Sequence, residues 1–211
     1  MNLSRTRLLL LALCVLTLGV ASGTALWIKL GPLPGAARSR SAPLEGLNDY
    51  GAVPDFRLTE RSGRAVGLGD LRGAVWVADF IYTSCTDTCP LQTAQMARLQ
   101  RELRDFPGVR LVSISVDPEK DSPAVLSAYA DRYRADASRW LFLTGERSEI
   151  VRLVQNGFRL SAVAAADDGV ILHSPRFVLV DREARIRGYY DSRDPEALKR
   201  LLNDLGRLAG A

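Results

Sequence analysis

The sequence predicts an α/β sandwich with a mixed central sheet, preceded by one N-terminal transmembrane helix. An uncharged, leucine-rich run extends from Leu8 to Ile28. After the linker that follows this run, apolar strand patterns alternate with helical patterns, which is typical of βαβ units. A final β-hairpin and a closing helix favour a sheet in which parallel and antiparallel strands are mixed.

The N-terminal run is long enough to cross a bilayer. Its 21 positions span roughly 31 Å as a helix, with Arg5 and Arg7 before it and Trp27 and Lys29 at its far end. A cleaved signal peptide is the alternative, but its apolar region is normally about 7 to 15 residues and ends at a clear cleavage site. We therefore expect an uncleaved membrane anchor over residues 1–30.

The segment after the anchor is predicted to be a tether. Residues 31–48 are rich in Pro, Gly and Ser, and residues 49–211 suit one domain with a single core. The very short N-terminal tail favours export of everything beyond the anchor. Because the anchor begins almost at Met1, no transit peptide fits before it. We therefore expect a single-pass protein of the bacterial inner membrane whose domain faces the periplasm.

The charge pattern excludes one class of partner. The chain carries a net charge of +4, yet residues 1–40 hold five Lys or Arg and no acidic residue. The remainder has 23 basic against 24 acidic residues, a net charge of −1. A near-neutral domain gives no electrostatic reason to expect nucleic-acid binding.

The first half of the domain shows a short hairpin and then a buried strand followed by a helix. Ser62-Gly63 is the hairpin turn, and the apolar run that follows it is long enough for a central strand. Apolar residues at helical spacing after Pro90 predict a helix that ends at Pro107-Gly108. The expected strands of this half are 56–59, 64–68 and 75–81.

The second half repeats the strand-helix alternation and then closes. Ser122-Pro123 is a helix start, with the serine as cap and proline in the first turn. That helix is expected to run to about residue 134, and a second helix covers 148–155. A last amphipathic helix opens at Asp194-Pro195. The expected strands of this half are 109–116, 140–143, 176–181 and 185–190.

Two cysteines lie where the first buried strand meets its helix. Cys85 and Cys89 are the only cysteines outside the apolar N-terminal run, which contains Cys14. Two thiols at a strand-to-helix turn can form a redox disulfide or bind a soft metal ion together. Their position at the end of a buried strand is the thioredoxin-like arrangement.

His173 is the only histidine in the chain, and it lies just before an apolar strand. A lone surface or capping histidine is the ordinary interpretation. In a thioredoxin-like layout, however, the segment entering this strand packs against the cysteine-bearing turn. Two thiolates and one imidazole favour Cu(I), and they suit Cu(II) if oxygen ligands are added. Zinc is the second choice because structural zinc sites usually have four protein ligands.

Three ordered motifs resemble the Sco/SenC family of copper proteins. They are 82–90 (Tyr-Thr-Ser-Cys-Thr-Asp-Thr-Cys-Pro), 115–121 (Ser-Val-Asp-Pro-Glu-Lys-Asp) and His173-Ser174. The resemblance covers roughly residues 50–205. It implies a membrane-anchored thioredoxin-like domain that binds one copper ion, as Cu(I), Cu(II) or both, through Cys85, Cys89 and His173. Asp117 matches the Asp-Pro motif of the family and is not expected to be a ligand.

The resemblance also implies partners. The copper-bearing subunit of cytochrome c oxidase would receive the metal into its dinuclear copper centre, and another copper chaperone or a thiol reductase would act alongside. The chain departs from many relatives in having Thr86 instead of proline after the first cysteine, and Leu172 instead of an acidic residue before the histidine. The first departure removes a rigid φ, and the second removes a candidate partner for the imidazole.

An enzymatic alternative stays open. Cys85 and Cys89 could act as a thiol-disulfide oxidoreductase that reduces the copper-ligand cysteines of the oxidase, with Cys85 attacking first. Pro175 precedes a strand in a pattern like that of thioredoxin-like reductases, where the proline is cis; an ordinary strand-entry proline is the other interpretation. Met96 follows Cys89 on one helical face, where core packing is preferred over a role as a thioether ligand.

Overall fold

A computed structural model describes residues 47–160 and 174–210. The predicted anchor and tether fall before this range, apart from the last residues of the tether, and His173 falls in the gap. Within the described ranges no helix has the length and apolar character needed to span a bilayer.

Among the described residues, seven strands form one mixed sheet in the order β2-β1-β5-β4-β3-β6-β7. The three central strands β5, β4 and β3 are parallel, and the other neighbours pair antiparallel. The strands are β1 Arg57–Glu60, β2 Ala65–Gly67, β3 Val75–Ile81, β4 Val109–Ser115, β5 Trp140–Thr144, β6 Arg176–Val180 and β7 Ile186–Asp191.

In the part of the chain that the structure describes, four α-helices follow the predicted alternation. They are α1 Thr88–Glu102, α2 Pro123–Arg132, α3 Arg147–Arg152 and α4 Ala197–Ala209. A 3-10 turn (Leu68–Asp70) follows β2, and a π-helical turn (Leu153–Gly157) continues α3. Ser122 caps α2 as expected, because its hydroxyl accepts a hydrogen bond from the Val125 N–H at 3.4 Å.

The two faces of the sheet bury separate cores. Apolar side chains of α1, α2 and α4 pack on one face, where Trp140 is fully buried. The 3-10 turn, α3 and its π turn cover the other face, where Trp76 is fully buried. Every residue of β3 is buried, as an apolar strand between two helical layers requires. The α/β sandwich and its mixed sheet are therefore confirmed.

Several element bounds differ from the sequence prediction. Helix α1 begins at Thr88 and not after Pro90, because the first turn of a helix has no internal partner for its N–H groups and tolerates proline. The same helix ends at Glu102, and hydrogen-bonded turns carry the chain on to Phe106. Helix α4 begins at Ala197 because Asp194 first forms a turn, accepting the Glu196 N–H at 2.9 Å.

A short segment lies along the outer edge of β7. The N–H groups of Asn48 and Tyr50 donate to the carbonyls of Arg187 and Ile186 at 2.8 and 2.9 Å, and Ile186 N–H donates to Gly51. Ala52 forms an isolated antiparallel bridge with Arg185. The start of the last strand, at Ile186 and Arg187, is therefore covered on its free side.

Candidate metal centre

The candidate site lies at the carboxyl edge of the parallel strands β3 and β4. Register pairs Ile81 with Ser115, so both strands end at the same level. The Val116 N–H donates to the Ile81 carbonyl at 2.9 Å and extends this pairing by one residue. The cysteine turn leaves β3 here, and the Asp-Pro loop leaves β4 beside it.

The structure brings Cys85 and Cys89 together. The Cys85 N–H donates to the Tyr82 carbonyl at 3.2 Å, which folds the chain into a turn directly after β3. The Cys89 N–H, in the first turn of α1, then donates to Cys85 Sγ at 3.4 Å. Both thiols are free and buried, whereas the intervening Thr86 and Asp87 are exposed.

The pKa values of the two thiols are shifted in opposite directions. Burial opposes ionisation of Cys85, but hydrogen bonds from the Tyr82 hydroxyl, the Cys89 thiol and backbone N–H groups outweigh it and lower the Cys85 pKa below its usual value. Deeper burial raises the pKa of Cys89, and the hydrogen bond to Cys85 raises it further. The interaction with Cys85, together with partial burial, raises the pKa of Tyr82 to about 12. Cys85 is therefore the thiol that ionises first.

Tyr82 was missed as a functional residue in the sequence reasoning. It follows the last residue of β3 and places its hydroxyl on the Cys85 sulfur. A tyrosine at the end of a strand carries no local signal of such a role, because strands are generally rich in tyrosine.

Asp121 was also missed, although it lies within the quoted Asp-Pro motif. Its carboxylate is fully buried and accepts hydrogen bonds from the Thr83 N–H at 3.1 Å, the Thr83 hydroxyl at 2.5 Å and the Ser115 hydroxyl at 2.5 Å. Asp117, the residue singled out from the sequence, instead pairs with Lys120 at 3.3 Å. Asp121 therefore connects the Asp-Pro loop to the cysteine turn.

A second buried carboxylate lies on the face of β3 that packs against α1, α2 and α4. Asp79 is fully buried and accepts one side-chain hydrogen bond from a described residue, the Ser113 hydroxyl at 2.6 Å, while its Oδ2 has no hydrogen-bond partner among the described residues. Burial raises the Asp79 pKa to about 7. The charge of Asp79 also contributes to raising the pKa values of Cys89 and Tyr129.

The segment that enters β6 reaches the same edge of the sheet. Strand β6 runs antiparallel to β3, with Val178 opposite Ala78, so the start of β6 lies toward the carboxyl end of β3. The Pro175 carbonyl accepts the Ser192 N–H at 2.7 Å, and the Ser192 carbonyl accepts the Gln95 side chain of α1 at 2.9 Å. Ser192 thus links this segment to the cysteine-bearing helix.

Other predicted residues have the following positions. His173 lies outside the described residues, while all described peptide bonds, including that of Pro175, are trans. Met96 is fully buried in the core beneath α1, as expected for a packing residue. Within the described ranges, no cluster of three or more His, Cys, Asp or Glu side chains is arranged to hold a metal ion.

The chain matches a family model and several known proteins. The model described as SCO1/SenC matches residues 46–209. The SCO1 protein homolog of Bacillus subtilis is 33% identical over 155 residues, which cover 72% of this chain and 80% of the homolog.

Solved structures show the same fold. The structure of BsSco, reported as a member of the Sco family of cytochrome c oxidase assembly proteins with a disulfide switch, is 32% identical with a TM-score of 0.69 and covers 79% of this chain and 97% of BsSco. The copper-bound ScoI of Bradyrhizobium japonicum is 27% identical with a TM-score of 0.62 and covers 75% of this chain and 99% of ScoI. With its thioredoxin-like α/β fold and mixed sheet, the chain belongs to the SCO1/SenC family.

Proposed function

We propose that this protein binds one copper ion through Cys85, Cys89 and His173 and delivers it to the dinuclear copper centre of cytochrome c oxidase during assembly. The observation that carries the proposal is the pair of free thiols, joined through the Cys89 N–H at 3.4 Å from Cys85 Sγ. Thiolate sulfur is a soft donor that selects Cu(I) over harder cations. The copper-bound relative from Bradyrhizobium supports this choice of metal.

The position of β6 supports His173 as the third ligand. The residues directly after His173, Ser174 and Pro175, enter β6 at the carboxyl edge of β3 and are linked through Ser192 to α1. An imidazole in this segment would approach the two thiols from the β6 side of β3, whereas the Asp-Pro loop lies on the β4 side. Two thiolates and one imidazole make a low-coordinate donor set, which suits Cu(I).

The surroundings of the thiols suit transfer of the metal. Ser84, Thr86, Asp87 and Pro90 are exposed around the two buried cysteines. A partner's cysteine can therefore approach the turn and enter the coordination sphere before a donor of this chain leaves. The uncharged run over residues 8–28 would tether the domain to the bacterial inner membrane on its periplasmic side, where a copper-bearing oxidase subunit is within reach.

An anaerobic Cu(I) titration against a competing chelator tests the proposal. We expect the reduced, full-length chain in mild detergent to bind one tight equivalent. The Cys85→Ser, Cys89→Ser double variant should lose this binding, since both soft donors are gone. His173→Ala removes a proposed ligand, so it should weaken binding by more than the roughly 10- to 100-fold loss that is typical when only a hydrogen-bond partner of a ligand is removed.

Cys14→Ser is the matched control, because it removes the third cysteine of the chain without touching the turn. It should bind copper as the wild type does. Tight binding that persists in the double variant, or that is indifferent to His173, would contradict the proposal.

The unequal acidity of the thiols favours thiol-disulfide exchange as a second candidate function. The Cys85 thiolate would attack a disulfide of the partner, forming a mixed disulfide and releasing one partner thiolate. Cys89 would then lose its proton, attack Cys85 Sγ and release the second partner thiolate. This chain ends as a disulfide and the partner ends as a dithiol. Because His173 has no part in these steps, His173→Ala would leave the exchange intact.

A further inference from the structure

The buried carboxylate of Asp121 joins two segments that are 38 positions apart in the sequence. Its Oδ2 accepts both the Thr83 N–H at 3.1 Å and the Ser115 hydroxyl at 2.5 Å, and its Oδ1 accepts the Thr83 hydroxyl at 2.5 Å. The two hydroxyl distances lie at the short end of the range for O–H···O hydrogen bonds. The side chain is fully buried, so solvent does not compete for these donors.

This contact lies at the start of the cysteine turn. Thr83 is two residues after the end of β3 and two residues before Cys85. Helix α1 fixes the other end of the turn from Thr88 onward. Between these two attachments, Ser84, Thr86 and Asp87 are exposed, so the position of the buried Cys85 depends on how well each end is held.

We propose that Asp121 is a positioning residue that acts through Thr83 to hold Cys85 at the distance from Cys89 that metal binding requires. The role rests on the proposed function of the two cysteines. Asp121, the last residue of the motif, would thus hold the cysteine turn in place. Asp117, the aspartate of the Asp-Pro pair, contacts its own loop, through Lys120 and Ser115.

Contacts separate this role from general support of the fold. The side-chain hydrogen bonds of Asp121 among the described residues go to Thr83 and Ser115, and none goes to a helix. Loss of the Thr83 hydroxyl should therefore loosen the cysteine turn while the sheet and α1 keep their own contacts. A turn that is no longer held must be ordered when the metal binds, which weakens binding.

Two readouts on the reduced, full-length protein test the proposal. The first is Cu(I) affinity against a competing chelator. The second is the ratio of the alkylation rates of Cys85 and Cys89, followed by mass spectrometry without metal. Thr83→Val keeps the shape and the N–H but removes the hydroxyl donor. We expect about tenfold weaker copper binding, at the low end for lost support around a metal, and a changed alkylation ratio.

Thr83→Ser restores the hydroxyl and should return both readouts to within about twofold of the wild type. Asp121→Asn should weaken binding at least as much as Thr83→Val; if it does not fold, the Thr83 pair still decides. Thr144→Val is the matched control, because it makes the same change at a buried hydroxyl that has no hydrogen-bond partner in the described part of the chain. It should leave both readouts unchanged.

Distinct results separate the two ideas. If the wild type binds no tight copper, the proposed function fails, and the alkylation ratio alone then judges the role of Asp121. If Thr83→Val leaves both affinity and ratio as in the wild type, or if Thr83→Ser changes them as much as Thr83→Val, the positioning role is overturned. A fall in melting temperature with unchanged affinity and ratio would also overturn it, since that outcome describes a purely structural residue.

Discussion

Asp121 and Asp79 are two fully buried carboxylates whose surroundings differ sharply. Asp121, at the end of the Asp-Pro loop, accepts hydrogen bonds from the backbone and hydroxyl of Thr83 and from Ser115. Asp79, in the middle of β3, accepts one side-chain hydrogen bond from Ser113, and no described residue is a hydrogen-bond partner of its Oδ2. Asp121 thus joins two segments of the chain through its hydrogen bonds, whereas Asp79 has one described side-chain partner.

The surroundings of Asp79 show how burial acts on an acid that has few hydrogen-bond donors. Burial alone disfavours the charged form, and donors that point at the carboxylate offset it. At Asp79 the single hydroxyl does not offset burial, so the pKa rises to about 7. Near neutral pH this group can hold a proton inside the core, on the face that also carries Cys89 and Tyr129.

Replacing Asp121 should have the largest effect on stability. Asp121→Asn turns an amide donor toward two donors that face Oδ2, the Thr83 N–H and the Ser115 hydroxyl. We expect the free energy of unfolding of the reduced, metal-free protein to fall by roughly 3–5 kcal/mol, since each buried donor that loses its acceptor costs about 1–3 kcal/mol, measured by urea denaturation. Asp87→Asn is the control: this exposed side chain makes no capping hydrogen bond, so a change within about 0.5 kcal/mol is expected. Equal losses in both variants would contradict the contrast.

Asp79→Asn should sharpen the comparison through its dependence on pH. Since the Asp79 pKa is about 7 in the folded protein and 3.8 ordinarily, the folded state keeps a proton that the unfolded chain has lost between these values. The contribution of Asp79 to the stability of the wild type should therefore fall as pH rises across this window, by about 1.4 kcal/mol per pH unit, and should level off above it.

The Asn variant lacks this titration, so its stability relative to the wild type should rise from pH 4 to about pH 7. Urea denaturation at several pH values measures the difference. A constant difference across that range would show that Asp79 ionises normally. Neighbouring titratable groups that sense its charge are Cys89 and Tyr129, and both have raised pKa values because of burial.

Ser113→Ala should produce the smallest of the three effects. The Ser113 hydroxyl donates to Asp79 at 2.6 Å and accepts the Trp140 indole N–H at 2.9 Å. Its loss leaves both groups without these partners, so we expect a cost of about 1–3 kcal/mol. The pH window of Asp79 should also extend upward, because the donor that lowers its pKa is gone. Ser62→Ala, at an exposed hairpin position, should change neither quantity.

The sequence was informative where a local pattern determines structure. The apolar run Val75–Ile81 predicted β3 with the bounds that the structure shows, because seven buried residues in succession suit a central strand. The cysteine pair was found for a similar reason, since it directly follows that strand. Pro90, by contrast, misplaced the start of α1, because proline is tolerated anywhere in the first turn of a helix and does not fix which position it occupies.

Long-range polar contacts could not be predicted from the sequence. Thr83 and Asp121 are separated by 38 positions, and no periodicity indicates which polar loop residue will be buried. Asp79 interrupts an apolar strand, which marks it as unusual but does not reveal that Ser113 is its partner. His173 stays a prediction as a ligand.

The segment that pairs along β7 affects two properties of the domain: its resistance to a mechanical pull and its tendency to self-associate. Asn48 and Tyr50 donate to the backbone of β7, and Ala52 bridges to Arg185. An uncovered terminal strand would offer a row of free N–H and carbonyl groups to another chain. The covering segment occupies the start of that row, at Arg185 to Arg187, so a pull on the N-terminal side acts first on these few hydrogen bonds and not on the cysteine turn. A shortened protein that begins after Ala52 would expose these backbone groups, so β7 could pair with a strand of another molecule.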